Sequence, residues 1–218
     1  MPVQGMVFIV ECPKAEDVYE QRLEGPALKQ VLELSEIKSD FRVAVSEQLF
    51  VRALEDAQEA MLRAVKKGWV PALHLSCHAN QAEIGVGDSD ISWERLAELL
   101  RPLNTKLKGN LIVTMSACFG AAAALMAKEY KAGAPFHTLV GPTEDIGWSE
   151  GIIGFATFYH LLFGQGVKLD DAVDAMNKAA QCANGTFRHM KSDHVRRVFW
   201  LRDIDKDLEE IRRLVEKA

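Results

Sequence analysis

A histidine and a cysteine forty residues apart, His78 and Cys118, each close a short apolar run. The first run is Val70-Pro71-Ala72-Leu73-His74-Leu75-Ser76-Cys77-His78-Ala79, and the second is Leu111-Ile112-Val113-Thr114-Met115-Ser116-Ala117-Cys118-Phe119-Gly120. Both runs read as buried parallel strands, and an open α/β sheet builds its sites at the carboxyl ends of neighbouring strands. A thiol and an imidazole brought to that edge are the parts of a cysteine nucleophile with an acid/base partner. Cys118 falls where a strand turns into a helix, so helix amides are expected to lower its pKa. The backbone amides of Ala79 and Cys118 are the natural donors to an oxyanion.

The elements that position this pair alternate along the chain. Val7 to Val10 reads as a strand, Glu16 to Leu34 as a loop and one helix broken at Gly25-Pro26, and Phe41 to Val45 as a second strand. Glu47 to Lys67 repeats its apolar residues at the helical period and stops at Gly68. After the His78 strand, Ala82, Ile84 and Val86 alternate before a Gly87-Asp88 turn, the mark of a small hairpin or of an exposed strand beside the site. Ser92 caps a helix whose Trp93, Leu96, Leu99, Leu100 and Leu103 share a face. The Cys118 strand runs into an alanine-rich helix from Ala121 to Tyr130. A strand over His137 to Val140 follows, with a polar loop from Thr143 to Trp148. Ile152 to Phe163 reads as a buried helix and Leu169 to Cys182 as an amphipathic one. Val195 to Trp200 reads as an edge strand, and Ile204 to Leu214 as a closing helix. Repeated βα units predict an α/β fold with a largely parallel sheet and helices on both faces, over a single domain spanning 1–218.

Composition narrows the function classes. The 218 residues carry a net charge of -5, with 48% hydrophobic and 26% charged residues. No concentrated basic face invites nucleic acid, and no apolar stretch has membrane-spanning length without a charge or breaker. The segment from Met1 to Cys12 lacks a basic leader, and Cys12, Cys77, Cys118 and Cys182 have no CxxC spacing, so a reducing cytoplasm is expected. His74-x-x-Cys77-His78 resembles a metal cluster only in composition. Alternation puts His74 and His78 on one face and Cys77 on the other, so no metal is expected. His137, His160, His189 and His194 read as ordinary structural residues. Neither GxGxxG after the first strand nor a P-loop supports a nucleotide-binding sheet.

Ser116-Ala117-Cys118-Phe119-Gly120 resembles the caspase nucleophile signature, with a histidine closing the preceding strand. The wider pattern is similar to the caspase-like cysteine peptidases, a superfamily that includes metacaspases, separases, legumains, gingipains and the bacterial CHAT domains. The CHAT and bacterial caspase-like branch is the nearest, through the Ser-Ala-Cys strand end, Gly141-Pro142-Thr143-Glu144-Asp145 and Glu24-Gly25-Pro26-Ala27-Leu28. The resemblance covers roughly Val7 to Ala180. It implies a three-layer α/β/α sandwich with a mostly parallel sheet of about six strands. It also implies peptide-bond hydrolysis by Cys118 with His78, and no organic cofactor.

Two departures stand out: Ala79 replaces the usual glycine after the histidine, and Ser116 replaces the caspase glutamine. No long maturation loop follows Cys118, so two-chain processing is not expected. Ser116 and the acidic Glu144 and Asp145 are the expected substrate-pocket residues, favouring a peptide cut after Arg or Lys. Arg42 and Arg188 are the counter-candidates for an acidic substrate residue. The branch implies a bacterial regulatory or defence role with a protein or peptide substrate, a controlling partner protein, and in some relatives calcium. The competing reading is a catalytically silent caspase-like scaffold.

Overall fold

The computed structural model describes residues 4–129, 131–183 and 185–202. Its eight strands are β1 (Gly5–Cys12), β2 (Lys38–Val43), β3 (Val70–Cys77), β4 (Glu83–Val86), β5 (Ser89–Ser92), β6 (Ile112–Ser116), β7 (Thr138–Pro142) and β8 (Phe187–Lys191). Six of them form one sheet in the order β2-β1-β3-β6-β7-β8, parallel except for the last pairing. The helices are α1 (Ala15–Tyr19), α2 (Glu24–Leu34), α3 (Glu47–Val65), α4 (Trp93–Lys106), α5 (Trp148–Tyr159) and α6 (Leu169–Ala179). A further helix, α7, covers 192–202 among the described residues.

Strand alternation divides the core in two. Phe8, Val10, Leu73, Leu75, Val113 and Met115 face a layer containing α3 and α4, where Phe50, Met61, Leu96 and Leu100 are buried. Val7, Ile9 and Ala72 face the other layer, with Leu28 and Leu32 of α2, Phe155 and Tyr159 of α5, and Met176 of α6. Three layers result, α/β/α, as the run of βα units predicts.

Several elements differ from the sequence expectation. The second strand lies earlier, at Lys38–Val43. Gly25-Pro26 does not break α2, because both sit in its first turn, where proline gives up no intrahelical bond; a separate five-residue helix, α1, precedes it. The alanine-rich segment is a 3-10 helix, Gly120–Ala127. Val195 to Trp200 is helical, and the edge strand is Phe187–Lys191. Val195 and Phe199, one helical turn apart, both pack on the α3/α4 side of the core, and this contact overrides their strand propensity. The closing helix expected at Ile204 to Leu214 lies outside the described residues. The β4–β5 hairpin and the Ser92 cap, whose hydroxyl accepts from the Arg95 amide at 3.3 Å, follow the sequence reading.

Candidate active site

Register brings the histidine and the cysteine level. Ser76 of β3 pairs with Ser116 of β6, so two residues further on His78 stands opposite Cys118. Parity puts both on the α2/α5 face, the continuation of the rows His74-Ser76 and Thr114-Ser116. They line one cavity of about 270 Å³, whose wall also includes Glu24, Ser116, Ile146 and Trp148. The Trp148 ring meets His78 edge-on, with centroids 6.1 Å apart.

His78 is held from behind. Its Nε2 lies 2.8 Å from Oδ2 of Asp17, a carboxyl only 4% exposed on α1. Asp17 also accepts the Lys14 amide at 3.0 Å and faces Arg22 at 3.4 Å. Burial alone would push the Asp17 carboxyl up; the hydrogen bonds from His78 and the Lys14 amide, with the charges of His78 and Arg22, hold it below its ordinary value. An ionised acceptor at Nε2 selects the tautomer with its proton there, which leaves Nδ1 as the basic nitrogen. Sequence reading missed Asp17. Its signal is weak: an acidic residue in the loop after a strand that the sheet order later sets beside β3.

The cysteine turn is tight. Phe119 adopts left-handed backbone angles (φ 54°, ψ 23°), a sparsely populated region for a side chain of that size. Gly120 is needed next to it, because a Cβ there would approach the Met115 Cβ to 2.7 Å. The Cys118 thiol donates to the Ile146 carbonyl at 3.6 Å. It does not hydrogen-bond His78; the two groups share the cavity wall.

The expected lowering of the Cys118 pKa by helix amides is not found. Burial pushes the thiol up, and the neighbouring Asp145 carboxylate adds to the rise. The amides of the turn are already engaged: Phe119 donates to the Glu144 carbonyl at 3.0 Å, Gly120 to Ala117 at 3.0 Å and Ala122 to Phe119 at 2.7 Å. The protein should therefore alkylate with iodoacetamide at a rate that climbs with pH past the range of an ordinary exposed thiol. Asp145→Asn, by removing the adjacent negative charge, should label faster than wild type near neutral pH; an unchanged rate would remove Asp145 from the thiol's surroundings.

The expected oxyanion donors have no backbone carbonyl partner among the described residues. Ala79 bridges Ile84 in antiparallel fashion, with the flanking bonds made by Gly85 N–H to the His78 carbonyl (2.8 Å) and Asn80 N–H to the Glu83 carbonyl (3.1 Å). In such a pair the middle residue turns its own amide away from its partner. Among the described residues, neither the Ala79 nor the Cys118 amide donates to a backbone carbonyl.

The acidic candidates fall in different places. Glu144 accepts the Thr186 hydroxyl at 2.5 Å and does not line the cavity, whereas Asp145 is exposed beside the thiol. Ser116 is on the wall. Arg42 is paired with Asp56 at 2.8 Å, and Arg188 donates to the Gly185 carbonyl, both away from the cavity lining.

The carboxyl on the cavity wall belongs to Glu24, 3% exposed, which sequence reading quoted only as part of a motif. Its Oε2 accepts the Ser76 hydroxyl at 2.8 Å. Oε1 has no hydrogen-bond partner and lies 3.6 Å from His74 Nε2, which is likewise unpaired. His74 is held at Nδ1 by Thr114 (2.9 Å) and Tyr159 (3.2 Å). Cys77 faces the opposite layer.

Glu11 fixes this arrangement from below by accepting the Glu24 amide at 2.6 Å and the Gly25 amide at 3.0 Å. Burial pushes the Glu11 carboxyl up to about 7, against those two bonds and with help from Glu24 and Asp17. A folded-state pKa raised from 4.5 to about 7 means the folded protein keeps a proton that the unfolded chain releases. Stability from this group is therefore present at acid pH and lost as pH rises towards 7, by on the order of 3 kcal/mol. Urea unfolding at about pH 5 and about pH 8 should give the lower midpoint at the higher pH, and Glu11→Gln should flatten that slope.

Three layers around this strand order, with the site at the carboxyl edge, define a caspase-like α/β/α fold. Among solved structures the chain is similar to the X-ray structure of a secreted C11 cysteine protease, iotapain, from Bacteroides thetaiotaomicron. The TM-score is 0.51 at 10% identity, covering 89% of this chain and 68% of that one. No family model matches the sequence, and no curated protein does. Among the described residues no helix is long and apolar enough to cross a membrane.

Proposed function

We propose that the chain is a cysteine peptidase that cuts after a basic residue. Cys118 Sγ attacks the scissile carbonyl while His78 Nδ1 takes the thiol proton. His78 then gives that proton to the leaving amine as the carbon–nitrogen bond breaks. The amides of Ala79 and Cys118 hold the oxyanion, and water hydrolyses the thioester with His78 again as base. The observation that carries this reading is the shared cavity of Cys118 and His78, with the imidazole steered by buried Asp17. The fold of a known cysteine protease supports it.

A basic side chain of the substrate is the best match for the unpaired Glu24 Oε1 on the cavity wall. Asp145 adds negative charge beside the thiol, and Glu144 stands next to it in the same loop. Ser116 lies at the same wall as a hydrogen-bonding contact. The membership we favour is the CHAT branch, on the Ser116-Ala117-Cys118 strand end. The four free cysteines support a cytoplasmic site of action. Control by a partner protein or calcium, in a bacterial regulatory or defence setting, is what the resemblance to that branch implies.

The test is a library of fluorogenic peptides varied at the residue before the cut bond, with and without calcium, before and after thiol alkylation. Hydrolysis after Arg or Lys that alkylation removes is the expected result. Hydrolysis indifferent to alkylation, or an unreactive thiol at every pH with no hydrolysis, would overturn it.

A further inference from the structure

A second cavity, about 540 Å³, lies on the opposite edge of the sheet from Cys118. It opens at the amino ends of the first three strands: Lys38 begins β2, and Trp69 immediately precedes β3. Lys38, Arg63, Lys66 and Lys67 line it, with Asp40 as the sole carboxyl on the wall. That excess of cations is local, because the chain as a whole carries a net charge of -5.

The wall cations are unequally committed. Arg63 reaches Glu59 at 3.5 Å in an exposed pair, and Asp40 is 3.9 Å from Arg42. Lys38, Lys66 and Lys67 are in no ion pair among the described residues. Lys67 Nζ is held 5.3 Å from the centroid of the Trp69 ring, which keeps that charge at the cavity. Basic residues at the end of α3 also complement the helix dipole, which accounts for Arg63 and Lys66. It does not account for Lys38, which reaches the same cavity from the start of a strand.

From this we infer that the cavity is a binding site for a multivalent phosphate anion, separate from the catalytic edge. Three unpaired ammonium groups around one cavity match a chain of phosphates better than a single one. The flat Trp69 ring offers a stacking surface if that chain belongs to a nucleotide.

Calorimetric titration with tripolyphosphate, ATP and orthophosphate, run on wild-type protein and on Cys118→Ala, tests this independently of the peptidase reading. Tripolyphosphate and ATP should bind at one site per chain, with affinity that falls as salt rises. Orthophosphate should bind more weakly. Lys66→Ala/Lys67→Ala, both exposed and remote from Cys118, should weaken binding about tenfold while leaving peptide hydrolysis unchanged. Lys38→Ala should weaken it too. Equal affinity for ATP and tripolyphosphate would assign the site to a free polyphosphate. Tighter binding of ATP that Trp69→Leu abolishes would assign it to a nucleotide. No heat with either ligand at millimolar concentration, or binding unaltered by the lysine variants, would overturn the site.

Discussion

Cys118→Ala should abolish peptide hydrolysis, a loss of about a millionfold or to the limit of detection, because no other group on the cavity wall can form the acyl intermediate. The remaining thiol there, Cys77, is buried and pushed up to about 12 by its burial, so it does not substitute. His78→Ala should lower kcat by roughly a thousandfold. Asp17→Asn is the more telling variant. An asparagine turned to present its amide donates to Nε2, which moves the imidazole proton to Nδ1 and points it at the nucleophile. The expected loss is about a thousandfold or more in kcat, with KM little changed. Asp17→Glu should recover part of it; because one oxygen, Oδ2, meets both His78 and the Lys14 amide, an asparagine turned to donate to Nε2 gives up the Lys14 bond, so its thermal stability should fall as well. Steady-state kinetics of the three variants decide the matter. An Asp17→Asn enzyme as active as wild type would leave Asp17 as a cap for α1 and nothing more.

That His78 and Cys118, the pair proposed as base and nucleophile, meet at one cavity was legible because two facts of sequence suffice for it. Apolar runs end at His78 and Cys118, and the period of a strand fixes the face on which each side chain emerges. The rest depended on neighbours that no period encodes. Asp17 meets His78 only because β1, not β6 alone, lies beside β3, and because a five-residue helix after β1 turns that carboxyl inward. Glu24 looks in the sequence like a solvated first-turn acid. It is buried because Glu11 captures the two amides at the start of α2 and draws that turn onto the sheet edge. The thiol pKa ran against expectation for a similar reason: burial and the Asp145 carboxylate outweigh what the backbone at Ile146 and Cys118 contributes, and the other amides of the turn are bonded to Glu144, Ala117 and Phe119. The strand expected at Val195 to Trp200 failed because β-branched and aromatic residues four apart serve a helix face equally well once a core is there to receive them.

Glu24→Gln should lower kcat/KM for substrates with Arg or Lys before the cut bond by about a hundredfold, while neutral residues at that position change little. The argument rests on what the site holds without substrate. Glu24 keeps one oxygen on the Ser76 hydroxyl and leaves the other unpaired against His74, a costly arrangement for a group 3% exposed. A guanidinium or ammonium entering beside Ser116 would supply the missing donor, and the ionised Asp17 carboxylate would deepen the attraction. Glutamine keeps the size and can still accept from Ser76, so Glu24→Gln should fold, with thermal stability equal to or above that of wild type. A stable Glu24→Gln that still prefers Arg and Lys would move the specificity contact to the Asp145 loop, and Asp145→Asn would then carry the loss instead. A stable variant that loses its preference only at low salt would mean that Glu24 acts through the field of the cavity rather than by direct contact, since a desolvated pair is screened far less than an exposed one.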